Sequence, residues 1–399
     1  NNEKYVGAET RARVAAVVFT GSTQVAQSIN RKLIQRGINE DRDIPLIAET
    51  GGQNAMIVDS SALCEQVVRD VISSAFDSAG QRCSALRLLC LQTDIAEQTL
   101  HMLNGAIEEL KIGSPDHLAT DIGPVIDTEA QEHLQAYIKQ AEHTAKRIRQ
   151  LLLPATTASG TFVAPCIIEI ASITELQREV FGPVLHVLRY RRDDLPQLIN
   201  DINALGFGLT LGIHSRIDET IDYVANKAHV GNIYVNRNIV GAIVGVQPFG
   251  GEGLSGTGPK AGGPLYLKRL QQENSSVAKI EKVATEDLIE TQQMQTILTE
   301  LLSWSTAHKQ QELSELIAEY ARTSLFGKTM QLHGVTGELN TLHFSARGLV
   351  LCVAETTLAL LNQLAAAYAS GNQVVLLQRT ALLVPTDFPA SLRASMTII

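Results

Sequence analysis

The sequence predicts an α/β fold with a largely parallel sheet, on three observations. Short apolar, β-branched runs alternate with segments of helical apolar spacing, which is typical of strand–helix units in a parallel sheet. Glycine-containing turns separate the runs from the segments. After about residue 275 the chain becomes charged and helix-rich, and the strand–helix–strand pattern then returns. We therefore expect two or three domains in the 399 residues.

The first unit of the chain predicts a strand, a turn and a helix. Residues 14–19 are apolar and β-branched, Thr20-Gly21-Ser22-Thr23 follows, and apolar residues then recur at helical spacing as far as Ile34. This layout directs the N–H groups of a helix N-terminus at an anion. An ordinary turn with a Ser or Thr cap has the same pattern, so the residues alone leave both interpretations open.

Alternation continues to residue 236. The strands predicted there are 45–49, 54–58, 86–91, 162–170, 184–190, 209–214 and 232–236, and the helices are 62–79, 95–110, 128–149, 195–204 and 217–228. Later in the chain, helices are predicted at 286–301, 309–320 and 358–369, and strands at 349–354 and 373–377.

Residues 237–263 hold nine glycines in 27 positions, too many for the interior of a helix or strand. A disordered linker is one interpretation. Ile239, Val240 and Phe249 make the segment too apolar for a solvated linker. We therefore predict a long ordered loop, and such a loop inside a domain is usually functional.

A carboxylate and a thiol end two neighbouring predicted elements. Glu49 closes an apolar strand before the Gly51-Gly52 turn, and Cys83 lies in the polar loop 80–84, 34 positions later (83 − 49). Such a pair is suited to a general base and a nucleophile. For an arbitrary pair, a surface glutamate beside a buried structural cysteine is the commoner situation. The surrounding motifs decide between the two.

Five motifs around this pair occur in a characteristic order over about residues 5–270. They are Phe19-Thr20-Gly21-Ser22-Thr23, Glu49-Thr50-Gly51-Gly52, Gly80-Gln81-Arg82-Cys83-Ser84, Glu179-Val180-Phe181-Gly182-Pro183-Val184 and Pro248-Phe249-Gly250-Gly251. The set resembles the aldehyde dehydrogenase superfamily. The finer detail around Asn54, Arg87 and residues 236–242 resembles its glutamate-semialdehyde (1-pyrroline-5-carboxylate) dehydrogenase branch, as found in bifunctional proline-utilising bacterial proteins.

The resemblance implies an aldehyde-dehydrogenase-like architecture with three parts. Residues 1–52 would be a partial Rossmann-type NAD-binding domain, and residues 53–263 an α/β catalytic domain with the substrate loop 237–263. Residues 264–399 would hold a connecting segment and an incomplete C-terminal aldehyde-dehydrogenase-like α/β domain. Leu377 stands where the family places a cofactor-binding lysine, so this last domain is expected to lack a cofactor site.

The resemblance also assigns roles to residues. Cys83 would attack the aldehyde and Glu49 would activate water, while backbone N–H groups of the loop 80–84 would lower the pKa of Cys83. The residues expected to contact NAD are Gly21, Ser22, Glu49, Gly51, Glu179 and Phe181. Those expected to hold the substrate are Ser84, Gly241, Ala242 and Phe249.

The implied reaction is NAD-dependent oxidation of L-glutamate γ-semialdehyde to glutamate, the second step of proline catabolism. FAD is expected only in a proline-oxidising part outside this chain. The family's oxyanion-hole asparagine and ribose-contacting lysine would precede residue 1, so the fragment alone is expected to be weakly active or inactive. Two alternatives stay open: a dehydrogenase for another aldehyde, such as succinic semialdehyde, and a non-catalytic structural module.

Composition argues against several other classes. A formal net charge of −9 without a Lys/Arg-rich run gives no support to nucleic-acid binding. Five scattered cysteines without a Cys-x-x-Cys pair predict neither a disulfide framework nor a metal site. No apolar run reaches the length of a membrane span, and no signal peptide opens the sequence. We expect a cytoplasmic homo-oligomer whose partner is a small-molecule substrate and whose parent protein is at most peripheral on the inner membrane.

Overall fold

The computed structural model describes residues 14–40, 44–271, 284–285 and 289–399. The chain divides into two units, Asn1–Ser275 and Ser276–Ile399. Residues 1–13 and 41–43 of the predicted N-terminal domain, and 272–283 and 286–288 of the predicted connecting segment, lie outside the described residues.

The described strands of the first unit are β1 Val17–Thr20, β2 Leu46–Glu49, β3 Ala55–Val58, β4 Leu88–Gln92, β5 Arg147–Gln150, β6 Cys166–Glu169, β7 Val184–Tyr190, β8 Phe207–Gly208, β9 Thr210–His214, β10 Asn232–Val235 and β11 Glu252–Gly253. A seven-stranded sheet in the order β10-β9-β3-β4-β7-β6-β5 forms the centre of the unit. The neighbours pair in parallel except β5 and β6, which pair antiparallel, so the sheet is mixed but largely parallel, as predicted.

The central strands are apolar without alternation because both faces of the sheet are covered. All residues of β3 and β4 are buried, which is the pattern expected of parallel strands between helical layers. The first-unit helices are α1 Thr23–Glu40, α2 Cys64–Phe76, α3 Thr93–Glu108, α4 Thr128–Ala141, α5 Leu195–Ala204, α6 Asp218–Lys227 and α7 Tyr266–Leu270. The apolar faces of α2, α3 and α5 join the strands in one hydrophobic core.

Strands β1 and β2 form a separate parallel pair in which Thr20 lies opposite Glu49. The glycine-rich loop is fastened to β2: Thr257 N–H donates to Ala48 O at 2.9 Å, and Ala48 N–H donates to Thr257 Oγ1 at 2.9 Å. Thr50 N–H donates to Ser255 O at 2.9 Å. Residues 250–257 are therefore ordered structure, as predicted, and β11 within them pairs with β8.

The predicted helix 128–149 is wrong in its second half. Helix α4 ends at Ala141, and Arg147–Gln150 is an edge strand paired antiparallel to Cys166–Glu169. Three of the four residues of this strand are exposed. Because most of its side chains are polar and exposed, this strand lacks the apolar pattern that would predict a strand from sequence. Its conformation comes instead from the pairing with β6.

The described residues of the second unit form two small sheets. Strands β15 Leu349–Cys352, β16 Gln373–Leu376 and β17 Met396–Ile398 pair in parallel, and β12 Ala284–Thr285, β13 Lys328–Leu332 and β14 Asn340–His343 pair antiparallel. The helices are α8 Ile289–Ala307, α9 Gln311–Thr323, α10 Thr357–Ala369, α11 Gln378–Ala381 and α12 Ala390–Ala394. The strand–helix–strand part was predicted, whereas the β13–β14 pair was not.

Candidate active site

The predicted nucleophile lies at the amino end of the central strands, where several motifs meet. Cys83 precedes β4, the Gly51-Gly52 turn precedes β3, and Glu179 precedes β7. Just upstream of Cys83, Ser78, Ala79 and Gly80 have φ values of 56°, 53° and 66°. Two consecutive non-glycine residues in the left-handed region are sparsely populated backbone, of the kind that persists where the surrounding structure enforces it.

Two buried side chains hold this nucleophile loop, defined as residues 78–84. Asn54 Nδ2 donates to Cys83 O at 2.7 Å and to Ala85 O at 2.8 Å. The guanidinium of Arg87 donates to Gly80 O at 2.7 Å and to Arg82 O at 3.2 Å. Arg87 is fully buried, so its hydrogen bonds connect the loop rigidly to the sheet.

Cys83 is partly buried, and burial raises the pKa of its thiol. The Ser84 backbone lowers that pKa, as expected for a thiol facing N–H groups, but the Glu179 and Glu49 carboxylates raise it further. The backbone N–H groups thus lower the pKa of Cys83, as expected, but burial and two nearby anions outweigh them, so the pKa is raised on balance. A base that accepts the thiol proton is needed for attack at neutral pH.

Glu49 is suited to be that base. Burial raises its pKa to about 7, against the opposing effects of the Gly251 N–H, which donates to Oε2 at 2.9 Å, and of Lys260. Within the described residues Glu49 Oε1 is buried and has no hydrogen-bond partner, so it is available to accept a proton. A Cβ on Gly250 would lie 2.7 Å from Oε1, which explains the glycine beside this carboxylate.

Glu179 lies against the Gly51-Gly52 turn. A Cβ on Gly51 would overlap the Glu179 carboxylate, so only glycine lets the two approach. Arg87 Nη2 lies 3.3 Å from Glu179 Oε1, and the Gly52 backbone also hydrogen-bonds this carboxylate. Phe181 is 46% exposed, and the Arg87 guanidinium carbon is 5.2 Å from its ring centroid. One buried arginine thus connects the nucleophile loop with two of the residues predicted to contact NAD.

Gly21 and Ser22 lie where β1 meets α1. Gly21 N–H donates to Glu49 O at 3.1 Å, and Ser22 Oγ accepts from Val25 N–H at 3.3 Å. Both residues are exposed at the start of an 18-residue helix. The helix N-terminus and the Glu49 strand are therefore joined directly through the backbone.

The four predicted substrate residues differ in their surroundings. Ser84 is buried beside the nucleophile, and its carbonyl accepts from Thr210 Oγ1 at 3.4 Å. Gly241 is exposed with φ +75°, and no heavy atom lies within 4 Å of a Cβ built there. Phe249 is partly buried and pairs with Ala261, while Ala242 is partly buried. The structure describes no contact that joins Ser84 to Gly241 or Ala242.

The profile of the "Aldehyde dehydrogenase family" matches residues 7–275, two thirds of the chain. The chain belongs to the aldehyde dehydrogenase family. Among curated relatives in that family, the bifunctional protein PutA of Escherichia coli K12 is 53% identical over 375 residues, covering 91% of this chain and 28% of PutA. The 1-pyrroline-5-carboxylate dehydrogenase of Geobacillus kaustophilus is 34% identical over 257 residues, covering 64% of this chain and 49% of that enzyme.

Solved structures of the aldehyde dehydrogenase family agree with the fold. A crystal structure of a bifunctional proline utilization A protein matches with a TM-score of 0.60 at 56% identity, over 64% of this chain and 26% of that one. A Thermus 1-pyrroline-5-carboxylate dehydrogenase with bound NAD matches with a TM-score of 0.60 at 34% identity, over 65% of this chain and 49% of that one. The chain thus spans about a quarter of the PutA relatives, and the predicted aldehyde-dehydrogenase-like α/β fold is confirmed.

The structure gives Asn54 and Arg87 a function at the site that the sequence alone did not assign. Both side chains bind backbone carbonyls at the nucleophile loop. The signal available in the sequence was their position beside apolar strand residues, where a charged or amide side chain is buried only with partners.

Among the described residues, no helix is long and apolar enough to cross a bilayer. In the same part of the chain, no cluster of three acidic, His or Cys side chains is placed to hold a metal.

Proposed function

We propose that this chain carries the aldehyde-oxidising site of an NAD-dependent L-glutamate γ-semialdehyde dehydrogenase, the second step of proline catabolism in a PutA-type protein. The observation that supports the chemistry best is Cys83, whose backbone carbonyl accepts from Asn54 Nδ2 and whose thiol is affected by the charge of Glu49, a carboxyl group with a pKa of about 7. The substrate is supported by relatives that are named for proline utilisation and for 1-pyrroline-5-carboxylate.

The residues present fit NAD. Gly21 and Ser22 at the N-terminus of α1 would hold the pyrophosphate, because helix N–H groups and the helix dipole favour anions. The Glu179 carboxylate would accept hydrogen bonds from the hydroxyls of the nicotinamide ribose, and Phe181 would lie beside the nicotinamide; Arg87 contacts both side chains. When bound, NAD supplies the acceptor for the hydride that leaves the aldehyde carbon. We also propose the division into an NAD-binding part up to residue 52 and a catalytic part from 53 to 263.

Cys83 and Glu49 carry out different steps of the proposed reaction. Cys83 Sγ gives up its proton to Glu49 and attacks the aldehyde carbon, forming a thiohemiacetal whose oxygen faces the backbone of the nucleophile loop. Loss of hydride leaves a thioester on Cys83. Glu49, deprotonated again, takes a proton from water as the water oxygen attacks the thioester carbonyl. The carbon–sulfur bond breaks, glutamate leaves, and the thiol regains its proton.

The substrate's far end needs an anchor for its α-carboxylate. Gly241 and Ala242 would supply backbone N–H groups, with Ser84 and Phe249 along the aliphatic stem. The positive φ and open surroundings of Gly241 suit close approach of a carboxylate to the backbone. We also propose a homo-oligomeric cytoplasmic protein, which the family resemblance supports, and FAD only in the part of the parent that oxidises proline.

The test is the rate of NADH formation by the full-length protein with three aldehydes: L-glutamate γ-semialdehyde, succinic semialdehyde and propanal. We expect the highest kcat/KM for glutamate γ-semialdehyde. Equal or higher efficiency with succinic semialdehyde would reject the proposed substrate but retain the chemistry. Absence of NAD binding in a titration would reject the enzymatic proposal altogether.

A further inference from the structure

Helix α2 carries a polar stripe on one face, defined here as Gln66, Asp70 and Ser74. Their spacing of four residues places them one above the other on successive turns. Asp70 and Ser74 are 2% and 0% exposed, so this polar face is turned into the protein. Buried polar side chains on an otherwise apolar helix face require specific partners.

The first turn of the stripe holds Asn236, the residue that directly follows β10. Gln66 Nε2 donates to Asn236 O at 2.6 Å. Asn236 has φ +53°, where the chain leaves the strand for the glycine-rich loop. Its side-chain amide is itself fixed, because it accepts from Ser215 N–H at 3.1 Å and donates to Ser215 O at 2.9 Å.

The second turn of the stripe, at Asp70, faces His214, and His214 hydrogen-bonds the backbone of Arg237, the residue after Asn236. His214 Nε2 lies 3.6 Å from Asp70 Oδ2, with both side chains almost completely buried. The His214 ring is hydrogen-bonded to the backbone of Arg237. Among the described residues, neither Asp70 Oδ2 nor His214 Nε2 has a hydrogen-bond partner.

The third turn holds the loop two residues before Gly241. Ile239 N–H donates to Ser74 Oγ at 3.1 Å, and both residues are fully buried. Two turns of α2 therefore hydrogen-bond the chain at residues 236 and 239, and the turn between them faces the histidine that bonds residue 237. At its C-terminal end, just beyond Ser74, the same helix leads directly into the turn Asp77–Gly80 and then to Cys83.

We propose that the stripe Gln66, Asp70 and Ser74 positions the carboxylate anchor relative to Cys83 and thereby selects the chain length of the substrate. This inference rests on the proposed function. A rigid helix contacts the loop on its buried face and continues into the nucleophile loop, so the distance between thiol and anchor is built into one element. An aldehyde with an α-amino acid end is then aligned only when its carbon stem matches that distance.

The main test is Ser74→Ala in the full-length protein, with Ser73→Ala as the matched control. Ser73 lies on the same helix, and its hydroxyl donates to Asp77 Oδ2, directly after the helix, at 2.8 Å. Loss of the Ser74 hydroxyl leaves the buried Ile239 N–H without its acceptor, so the anchor loop shifts. We expect kcat/KM for glutamate γ-semialdehyde to fall about tenfold, chiefly through KM, while that for propanal changes by less than about twofold.

A second variant covers the case in which Ser74→Ala does not fold. Gln66→Ala removes a partly exposed side chain from the first turn, and Glu65→Ala is its exposed neighbour for control. The measured quantity is the kcat/KM for glutamate γ-semialdehyde relative to that for semialdehydes one methylene shorter and one longer. This ratio should be lower in Ser74→Ala and Gln66→Ala than in wild type. It should equal the wild-type ratio in the controls Ser73→Ala and Glu65→Ala.

The outcomes separate the two proposals. If wild type does not prefer glutamate γ-semialdehyde over propanal, the proposed function fails. If wild type has that preference and Ser74→Ala and Gln66→Ala keep it with unchanged KM, the stripe does not set specificity. Equal losses with propanal and with the semialdehyde would also contradict the inference, because they would indicate a general structural role.

Discussion

Arg87→Met is the substitution that the structure predicts to be most damaging outside the reacting groups. The Arg87 guanidinium is fully buried and donates to the carbonyls of Gly80, Arg82 and Gly182 at 2.7, 3.2 and 3.1 Å. It also pairs with Glu179 Oε1 at 3.3 Å. Methionine retains much of the volume but supplies no donor, so three carbonyl groups and a carboxylate lose a partner together.

The expected loss in the free energy of unfolding follows from the buried pair of Arg87 and Glu179. Removing one member of a buried ion pair costs about 3–5 kcal/mol, because the other charge stays buried without compensation. Each carbonyl that loses a donor adds to this cost unless water enters. We therefore expect a loss of about 4 kcal/mol. At roughly 2–4 °C per kcal/mol for a domain of this size, the transition temperature should fall by about 8–16 °C.

The assay is thermal unfolding of the full-length protein, following the transition that NAD raises. Arg147→Met is the control, because Arg147 and its partner Glu97 are about two thirds exposed and the pair contributes little. A shift for Arg87→Met no larger than that of Arg147→Met would refute the interpretation of Arg87 as the connection between nucleophile loop and cofactor residues. Arg87→Lys should recover only part of the loss, since an ammonium cannot span the four acceptors.

Three further predictions concern the reaction. Cys83→Ala should abolish aldehyde oxidation with little loss of stability, whereas Cys90→Ala, in the fully buried core, should mainly reduce stability; substantial turnover by Cys83→Ala would reject the nucleophile. Glu49→Gln should slow both steps but thioester hydrolysis more than the NADH-forming burst, because solvent can also accept the thiol proton whereas the attacking water needs a positioned base; an equal loss in both steps would contradict this division. Because the pKa of Glu49 is about 7, its basic form is lost as pH falls through 7, so wild-type deacylation should slow below that pH and the Gln variant should lack this dependence. Gly241→Val should reduce kcat/KM for the semialdehyde roughly 10- to 10⁴-fold through backbone strain at φ +75°, with a much smaller change for propanal. If the ratio of the two kcat/KM values stayed unchanged, Gly241 would not anchor the substrate carboxylate.

The sequence predicted best those elements whose residues determine their own structure. The buried run Val184–Tyr190 and the amphipathic helix Leu195–Ala204 were predicted with their observed bounds. Strand β5, Arg147–Gln150, was predicted as helix because its exposed polar residues take their conformation from the pairing with β6. Likewise β13, Lys328–Leu332, has no fully buried residue and carries no strong apolar pattern.

At the site, too, features set by local sequence were predictable, whereas features set by distant residues were not. The positions of Cys83 and Glu49 were recognisable from local motifs. The pKa values of both groups depend on burial and on charges distant in the sequence, such as Lys260 beside Glu49 and Glu179 near Cys83. The sequence alone assigned Arg87 no function because a lone arginine in sequence is indistinguishable from a surface residue until its four acceptors are in place.

The covalent intermediate provides the most direct test of the central claim, that Cys83 carries the acyl group and Glu49 releases it. The Glu49→Gln variant of the full-length protein is mixed with NAD and L-glutamate γ-semialdehyde, quenched in acid to protonate the α-amino group, digested and analysed by mass spectrometry. The account predicts a glutamyl group on the peptide that contains Cys83, at higher occupancy than in wild type. An unmodified Cys83, or an adduct on Cys64 or Cys90 instead, would contradict it.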